Sequence, residues 1–593
     1  MKQFFKMFFA SMLAMIVTGV IIFGVVIGLM VAAVSKSMKS QPEVVVAQNS
    51  VLLIDLKNRF HEQSESNSLA FFASGSSYNA GLYDATRAIE KAADDKNIKG
   101  ILIKLQPTPN GWATLQQLRQ SIKAFKKSGK FVYAYGENVS QAAYYVATSA
   151  DSIYLNPVGD MELKGFATIM PFFKGTLDKL EVEPEIFYAG KFKSATEPFR
   201  ADKMSDANRL QVAEFQKDFW AEFINAVATH SKQDTAAIQT LVNTGAIEFP
   251  NDALKHKLVD GLTYWDQVES RIKAKTDVKD KDKIKYISLD EYAQHVRGGA
   301  KGDTRIAVLY AEGSIVDGEG DDDYQIASQD FIESIRAVRN NDKIKAVVMR
   351  VNSPGGSALA SDVILRELHL LKQKKPLVVS MGDVAASGGY YIACQADSIF
   401  AMPNTITGSI GVFTMMFNTE KLMKNKLGVT FDGVKNAPYA DFPNGIRPLT
   451  ADEATRMQHS VDNIYEIFKG RVAAGRKMTV ADVDSIAQGR VWSGTDALQI
   501  KLVDALGGLD RAIASAATLA KVKDYKVVTY PEPIDRFETM IRRLNGNTAA
   551  AAVVKTAVEK ELGTEYEWYK HIKQLRNMNG KLMMLLPFQM NTQ

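Results

Sequence analysis

One long unit occurs twice in this chain, and that duplication constrains the fold more than any local pattern. Residues Ile98–Gln106 (IKGILIKLQ) return as Ile344–Asn352 (IKAVVMRVN), Ala142–Ile153 (AAYYVATSADSI) as Gly388–Ile399 (GGYYIACQADSI), and Lys257–Leu262 (KLVDGL) as Lys501–Leu506 (KLVDAL). The offset is 246 residues in the first two blocks and 244 in the third, so this is a single duplication. The copies differ where chemistry would sit. Ser387 stands opposite Gln141, and Gly355 and Gly356 stand opposite Pro109 and Asn110. A hydroxyl and two small, flexible residues exist in the second copy only. Catalysis in one copy and scaffolding in the other would leave that asymmetry.

Both copies alternate apolar runs of strand length with amphipathic helices. In the second, Ala346–Val351 and Leu377–Met381 read as strands. Between them, Ser361–Lys374 puts Ile364, Leu365, Leu368 and Leu371 on one helical face. Ser361 and Asp362 suit its start, and Pro376 follows its end. Strand–helix–strand at this length predicts an α/β fold with parallel pairing. Val51–Leu56 reads as a further buried strand, and Arg59–Gly81 as a surface loop. The expected organisation is a membrane anchor over 1–45, a first repeat over 46–304 ending in a charged linker, a second repeat over 305–525, and a tail over 526–593. The tail contains a helical stretch around Ala549–Leu562 and an apolar patch, Leu582–Pro587, suited to docking or oligomer contact.

The anchor rests on Met7–Ser35, which carries no charged residue. About 20 apolar residues span a bilayer, whereas the apolar region of a cleaved signal peptide runs only about 7–15. Lys2 and Lys6 precede the segment and Lys36 and Lys39 follow it, so the positive-inside rule leaves orientation open. A net charge of +5 over 593 residues gives no case for nucleic acid binding. The single cysteine, Cys394, excludes an intramolecular disulfide and lies in an apolar stretch that suits a core residue.

The chemistry centres on Asp383–Tyr390 (DVAASGGY). Ser387 would sit where a strand gives way to a helix N-terminus, whose free N–H groups stabilise developing negative charge. Gly388 could donate its N–H to an oxyanion. The rival reading is that Ser387 merely caps the helix. A second element, Val351–Ser357 (VNSPGGS), makes a tight turn after a strand and could supply a second donor from Gly355. In the first copy Pro109 stands there, with no N–H to donate. A serine hydroxyl needs a base. None of the seven histidines stands in a recognisable motif, and a lysine kept neutral by burial can take that role.

The anchor, the duplication, VNSPGG and MGDVAASGG together resemble the long, tandem-repeat form of signal peptide peptidase A, a membrane-anchored serine protease family with the Clp protease/crotonase fold. The resemblance runs from the anchor to about Leu519. It implies that Lys193, within Lys193–Phe199 (KSATEPF), is the base, and that the oxyanion hole comprises the amides of Gly355 and Gly388. It also implies that Ser409, within Thr407–Gly411 (TGSIG), hydrogen-bonds the lysine. The first copy has Leu163 opposite Ser409. Lys435 is a rival base, because shorter relatives keep both catalytic residues in one repeat; the residues flanking Lys193 favour Lys193. The resemblance further implies peptide bond hydrolysis without metal or nucleotide, substrates that are cleaved signal peptides or other short apolar segments, a homotetramer, and an inner-membrane protein facing the periplasm. Two other classes stay open: a crotonase-type acyl-CoA enzyme and a non-catalytic membrane scaffold.

Overall fold

A computed structural model describes residues 44–66, 78–297, 303–320, 324–533, 578 and 580–586, with scattered positions between 6 and 25. The expected anchor falls largely, and the helical stretch 549–562 wholly, outside the described residues. Among the described residues no helix is long and apolar enough to cross a membrane.

The duplication is visible as two sheets with the same strand order. The first runs Gly261–Leu262, Ser152–Met161, Phe131–Val139, Ile98–Leu105, Ser50–Asp55, Tyr286–Ser288. The second, of eight strands, contains the same path, Ala505–Leu506, Ser398–Ala401, Leu377–Ala386, Ile344–Ser353, Arg305–Glu312, Lys526–Tyr530, and adds Ile406–Gly408 and Val491–Ser493 beside Leu377–Ala386. Every neighbouring pair on both paths is parallel. Helices cover these sheets, so strands such as Ala346–Val351 are buried throughout and read as apolar runs, here interrupted only by Arg350. The edge strands Tyr286–Ser288 and Lys526–Tyr530 come from the charged linker and from the start of the tail, each of which completes a sheet.

The residues common to both copies stitch this frame together. Asp151 accepts from Val132 N–H and Asp397 from Leu377 N–H, both at 2.8 Å. Asp260 accepts from Ile153 N–H and Asp504 from Ile399 N–H, both at 2.7 Å. Tyr144 donates to Leu258 O and Tyr390 to Leu502 O. These side chains satisfy backbone groups at strand ends, which water would otherwise have to reach. Cys394 is buried, its thiol pushed up to about 12 by that burial.

The helix expected over Ser361–Lys374 spans Ala358–Lys372. Its cap is Ser357, whose Oγ accepts from Ala360 N–H at 3.2 Å, while Ser361 Oγ donates back to Ser357 O at 2.7 Å. Sequence periodicity places the buried face, with Ile364, Leu365, Leu368 and Leu371 inside. It does not choose between two capping serines one turn apart.

A third sheet joins the copies. Its order is Gln325–Ala327, Ser314–Val316, Gly355–Ser357, Met583–Leu585, Val412–Asn418, Glu183–Ala189. Glu183–Ala189, from the first repeat, lies antiparallel to Val412–Asn418, from the second, over seven paired residues. Polar contacts tie the repeats further, two of them deeply placed. Arg350, fully buried, donates to Glu62 Oε2 at 2.7 Å, and Asp383 accepts from Thr114 N–H at 2.9 Å. The largest apolar core contains first-repeat residues together with Ala386, Ile406, Val491 and Leu586.

Candidate active site

The strand Leu377–Ala386 ends in register with Ile406–Gly408: Ala385 faces Thr407 and Ala386 faces Gly408. The next residues, Ser387 and Ser409, therefore leave the sheet side by side. Both take positive φ, 55° and 50°. Such a conformation is uncommon for a residue with a side chain and must be held by its surroundings. Here Ser387 N–H donates to Gly408 O at 2.8 Å, Ser387 O accepts from Tyr391 N–H at 2.8 Å, and Ser409 N–H donates to Arg490 O at 2.7 Å. The helix that follows Ser387 is Gly388–Ala393, and the Ser387 side chain does not cap it. The capping explanation for Ser387 is thus replaced by a different partner.

That partner is Lys193. Its Nζ lies 2.8 Å from Ser387 Oγ, 3.1 Å from Ser409 Oγ and 3.2 Å from Ser409 O. All three residues are at most 1% exposed. Burial alone holds the Lys193 amine well below the usual lysine range. A neutral amine keeps a lone pair, so at this distance it can take a proton from the serine hydroxyl.

The lysine reaches this point because the strand Glu183–Ala189 delivers it. After the strand, Phe192 N–H donates to Gln488 O at 2.7 Å and Lys193 N–H to Gly190 O at 3.1 Å. Gly489 lies so close to the Lys193 backbone that any side chain there would collide with it. The rest of KSATEPF forms a buried polar clasp. Ser194 Oγ donates to Asn208 Oδ1 at 3.0 Å, Asn208 Nδ2 donates to Glu197 Oε2 at 2.8 Å, and Gln211 Nε2 donates to Ser194 Oγ at 2.9 Å and Phe192 O at 3.2 Å. Asn208 and Gln211 hold this clasp and lie outside the sequence motif; they are buried polar residues in the first turns of the helix Asp206–Ser231, and no sequence pattern marks them.

The two turn glycines differ. Gly355 N–H, the expected oxyanion donor, donates to Ser353 Oγ at 3.1 Å. Gly356 N lies 3.1 Å from where a Cβ on Gly388 would be. Gly355 is needed for its shape: φ is +99°, and a Cβ would stand 2.6 Å from Gly388 N and 3.0 Å from Ala386 O. Lys435 is elsewhere. Its half-exposed amine is paired with Asp441 Oδ1 at 3.0 Å and donates to Pro438 O at 3.1 Å.

In the first repeat the equivalent place is filled. Gln141 Oε1 accepts from Lys164 N–H and Gly165 N–H, Gln141 Nε2 donates to Gly165 O, and Leu163 is buried in the core. Ser140 caps that copy's helix.

Residues 124–279 and 369–523 match the family model for peptidase family S49, and residues 298–407 match that for Clp protease. Protease 4 of Salmonella typhi is 38% identical, over 79% of this chain and 77% of its own. The chloroplastic serine protease SPPA of Arabidopsis thaliana is 33% identical, over 82% of this chain and 72% of its own. Protease 4 of Haemophilus influenzae is 36% identical, over 75% of each.

Proposed function

The chain belongs to peptidase family S49 and is a serine protease; from that premise we propose that Ser387 is its nucleophile and Lys193 its general base. The observation that carries the assignment is the 2.8 Å approach of a buried lysine amine, its pKa lowered by burial, to a serine hydroxyl. Lys193 Nζ takes the Oγ proton as Oγ attacks the peptide carbonyl carbon. The N–H groups of Gly356 and Gly388 hold the oxyanion, a contribution that grows as charge develops. The C–N bond then breaks, and the leaving amine takes the proton from Nζ. Water attacks the resulting ester with Lys193 again as base, releasing the carboxylic acid product and restoring Ser387. Ser409 acts through Lys193, fixing the amine with its hydroxyl and carbonyl.

The substrates in this reading are cleaved signal peptides and other short, extended, apolar segments. The resemblance to signal peptide peptidase A supports this, as does the sheet that ends beside Ser387. The enzyme is membrane-bound through Met7–Ser35, faces the periplasm and assembles as a homotetramer; the uncharged apolar run and the same resemblance support these points. Family membership displaces the acyl-CoA and scaffold alternatives.

The test is hydrolysis of an unstructured apolar peptide by the Ser387→Ala chain. Loss of a catalytic serine lowers kcat by about 10⁶-fold in a serine hydrolase. Residual activity above a few per cent would remove Ser387 from the mechanism. The isolated second repeat, 305–525, is expected to be inactive, because it lacks both Lys193 and the strand that delivers it.

A further inference from the structure

Resting on the Ser387–Lys193 reading of the site, we propose that Gln211 is a positioning residue for the reaction: its buried side-chain amide sets the lysine of the first repeat against the serines of the second.

A lysine amine stands at the end of a flexible four-carbon stem, so its place depends on the turn that carries it. Gln211 grips that turn on both sides of Lys193. Its Nε2 donates to O of Phe192, the residue before, at 3.2 Å, and to Oγ of Ser194, the residue after, at 2.9 Å. Asn208 Oδ1, 3.0 Å away, accepts from the same nitrogen. The other end of the amide faces the second repeat, where Gln211 Oε1 accepts from Val491 N–H at 3.2 Å.

Val491 is in turn tied to both serines. The strand Val491–Ser493 lies antiparallel to Ile406–Gly408, with Val491 opposite Gly408. Gly408 O accepts from Ser387 N–H at 2.8 Å, and Ser409 N–H donates to O of Arg490, the residue before Val491, at 2.7 Å. A single side chain therefore bridges the turn that carries the amine and the strand from which both serines hang. Its hydrogen bonds reach neither Lys193 Nζ nor Ser387 Oγ, so Gln211 acts through the main chain around Lys193.

Gln211 is fully buried. Burying an amide costs free energy unless it is hydrogen-bonded, and here both its nitrogen and its oxygen are spent on the frame of the site. The duplication supplies a control. The helices Asp206–Ser231 and Ala451–Arg476 are equivalent: each has 26 residues, and each is capped by a hydroxyl, Ser205 or Thr450, that accepts from the amide three residues on. Counted from those caps, Gln211 corresponds to Arg456, whose exposed guanidinium pairs with Asp452 at 2.9 Å. The inward amide belongs to the copy that delivers the lysine.

The experiment is a double-mutant cycle between Gln211→Met and Lys193→Ala, read as the rate at which a fluorophosphonate probe labels Ser387. It is run with the steady-state constants of Gln211→Met on an unstructured apolar peptide. Methionine keeps the unbranched length of glutamine and removes its amide. Misplacing a reacting group by about 1 Å costs on the order of 10²-fold, so kcat should fall by about ten- to a hundredfold while KM stays within about twofold. Labelling should slow by a similar factor in Gln211→Met, and hardly further when Lys193 is already alanine, because a residue that acts through the lysine then has nothing to position. Gln211→Glu keeps the acceptor for Val491 and loses the donor to Phe192 and Ser194. It goes through the same cycle with the same expectation, and guards against a folding defect peculiar to methionine. Equal slowing with and without Lys193, a rise in KM alone, or an unchanged kcat would overturn the proposal. Undiminished labelling of Lys193→Ala by itself would instead overturn the dyad on which the proposal rests.

Discussion

Lys193 Nζ lies 2.8 Å from Ser387 Oγ although 194 positions separate them in the chain. Each residue comes from a different copy of the duplicated unit. In the proposed mechanism the copy without Ser387 supplies the base, so it cannot be shed as a spent relic. Its own equivalent site is closed by Gln141, which fastens the 164–165 backbone where the other copy opens onto Ser387.

The first prediction concerns pH. Lys193 must be neutral to accept the Ser387 proton, and burial holds its amine well below the ordinary lysine range. Below the shifted pKa the amine is protonated and the rate falls with pH; above it the rate levels off. The pH profile of kcat/KM should therefore show one ascending limb well short of the free lysine value of about 10.4. A limb near the free value would mean that the amine is not desolvated in solution.

Ser409→Ala removes one of the oxygens around Nζ and leaves Ser409 O in place. One hydrogen bond is worth about 1 kcal/mol net, so kcat should drop by roughly five- to tenfold. KM should hardly change, and the ascending limb should shift. A change in KM alone would place Ser409 in substrate binding instead.

Glu62→Ala tests the joint between repeats. It strips the fully buried Arg350 guanidinium of its carboxylate and leaves only Ser380 Oγ and Met381 O as partners. Removing one member of a buried pair costs about 3–5 kcal/mol. Chemical denaturation should show that loss, and activity should fall with it, because the same joint holds the first repeat against the strand leading to Ser387. A loss within experimental error would show the pair to be dispensable.

Much of this arrangement is legible in the sequence. The repeated blocks predict two like sheets, and Ser387 and the glycine turn stand out because one copy lacks them. Other parts are not. Pairing of Glu183–Ala189 with Val412–Asn418 depends on which distant edge is available, and local periodicity carries no information about that. The choice between Gly355 and Gly356 turns on a single hydrogen bond to Ser353. The apolar patch Leu582–Pro587 reads as a docking segment, but only the ladder shows that Met583–Leu585 pairs with Gly355–Ser357 of its own chain.

The most direct test of the account is covalent labelling by a fluorophosphonate probe, which reports an activated serine without needing a peptide substrate. Wild type and Lys435→Ala should label at Ser387 at similar rates, whereas Lys193→Ala should label slower by about 10²–10⁴-fold, the usual contribution of a general base. Undiminished labelling of Lys193→Ala, or its loss in Lys435→Ala, would contradict the cross-repeat dyad.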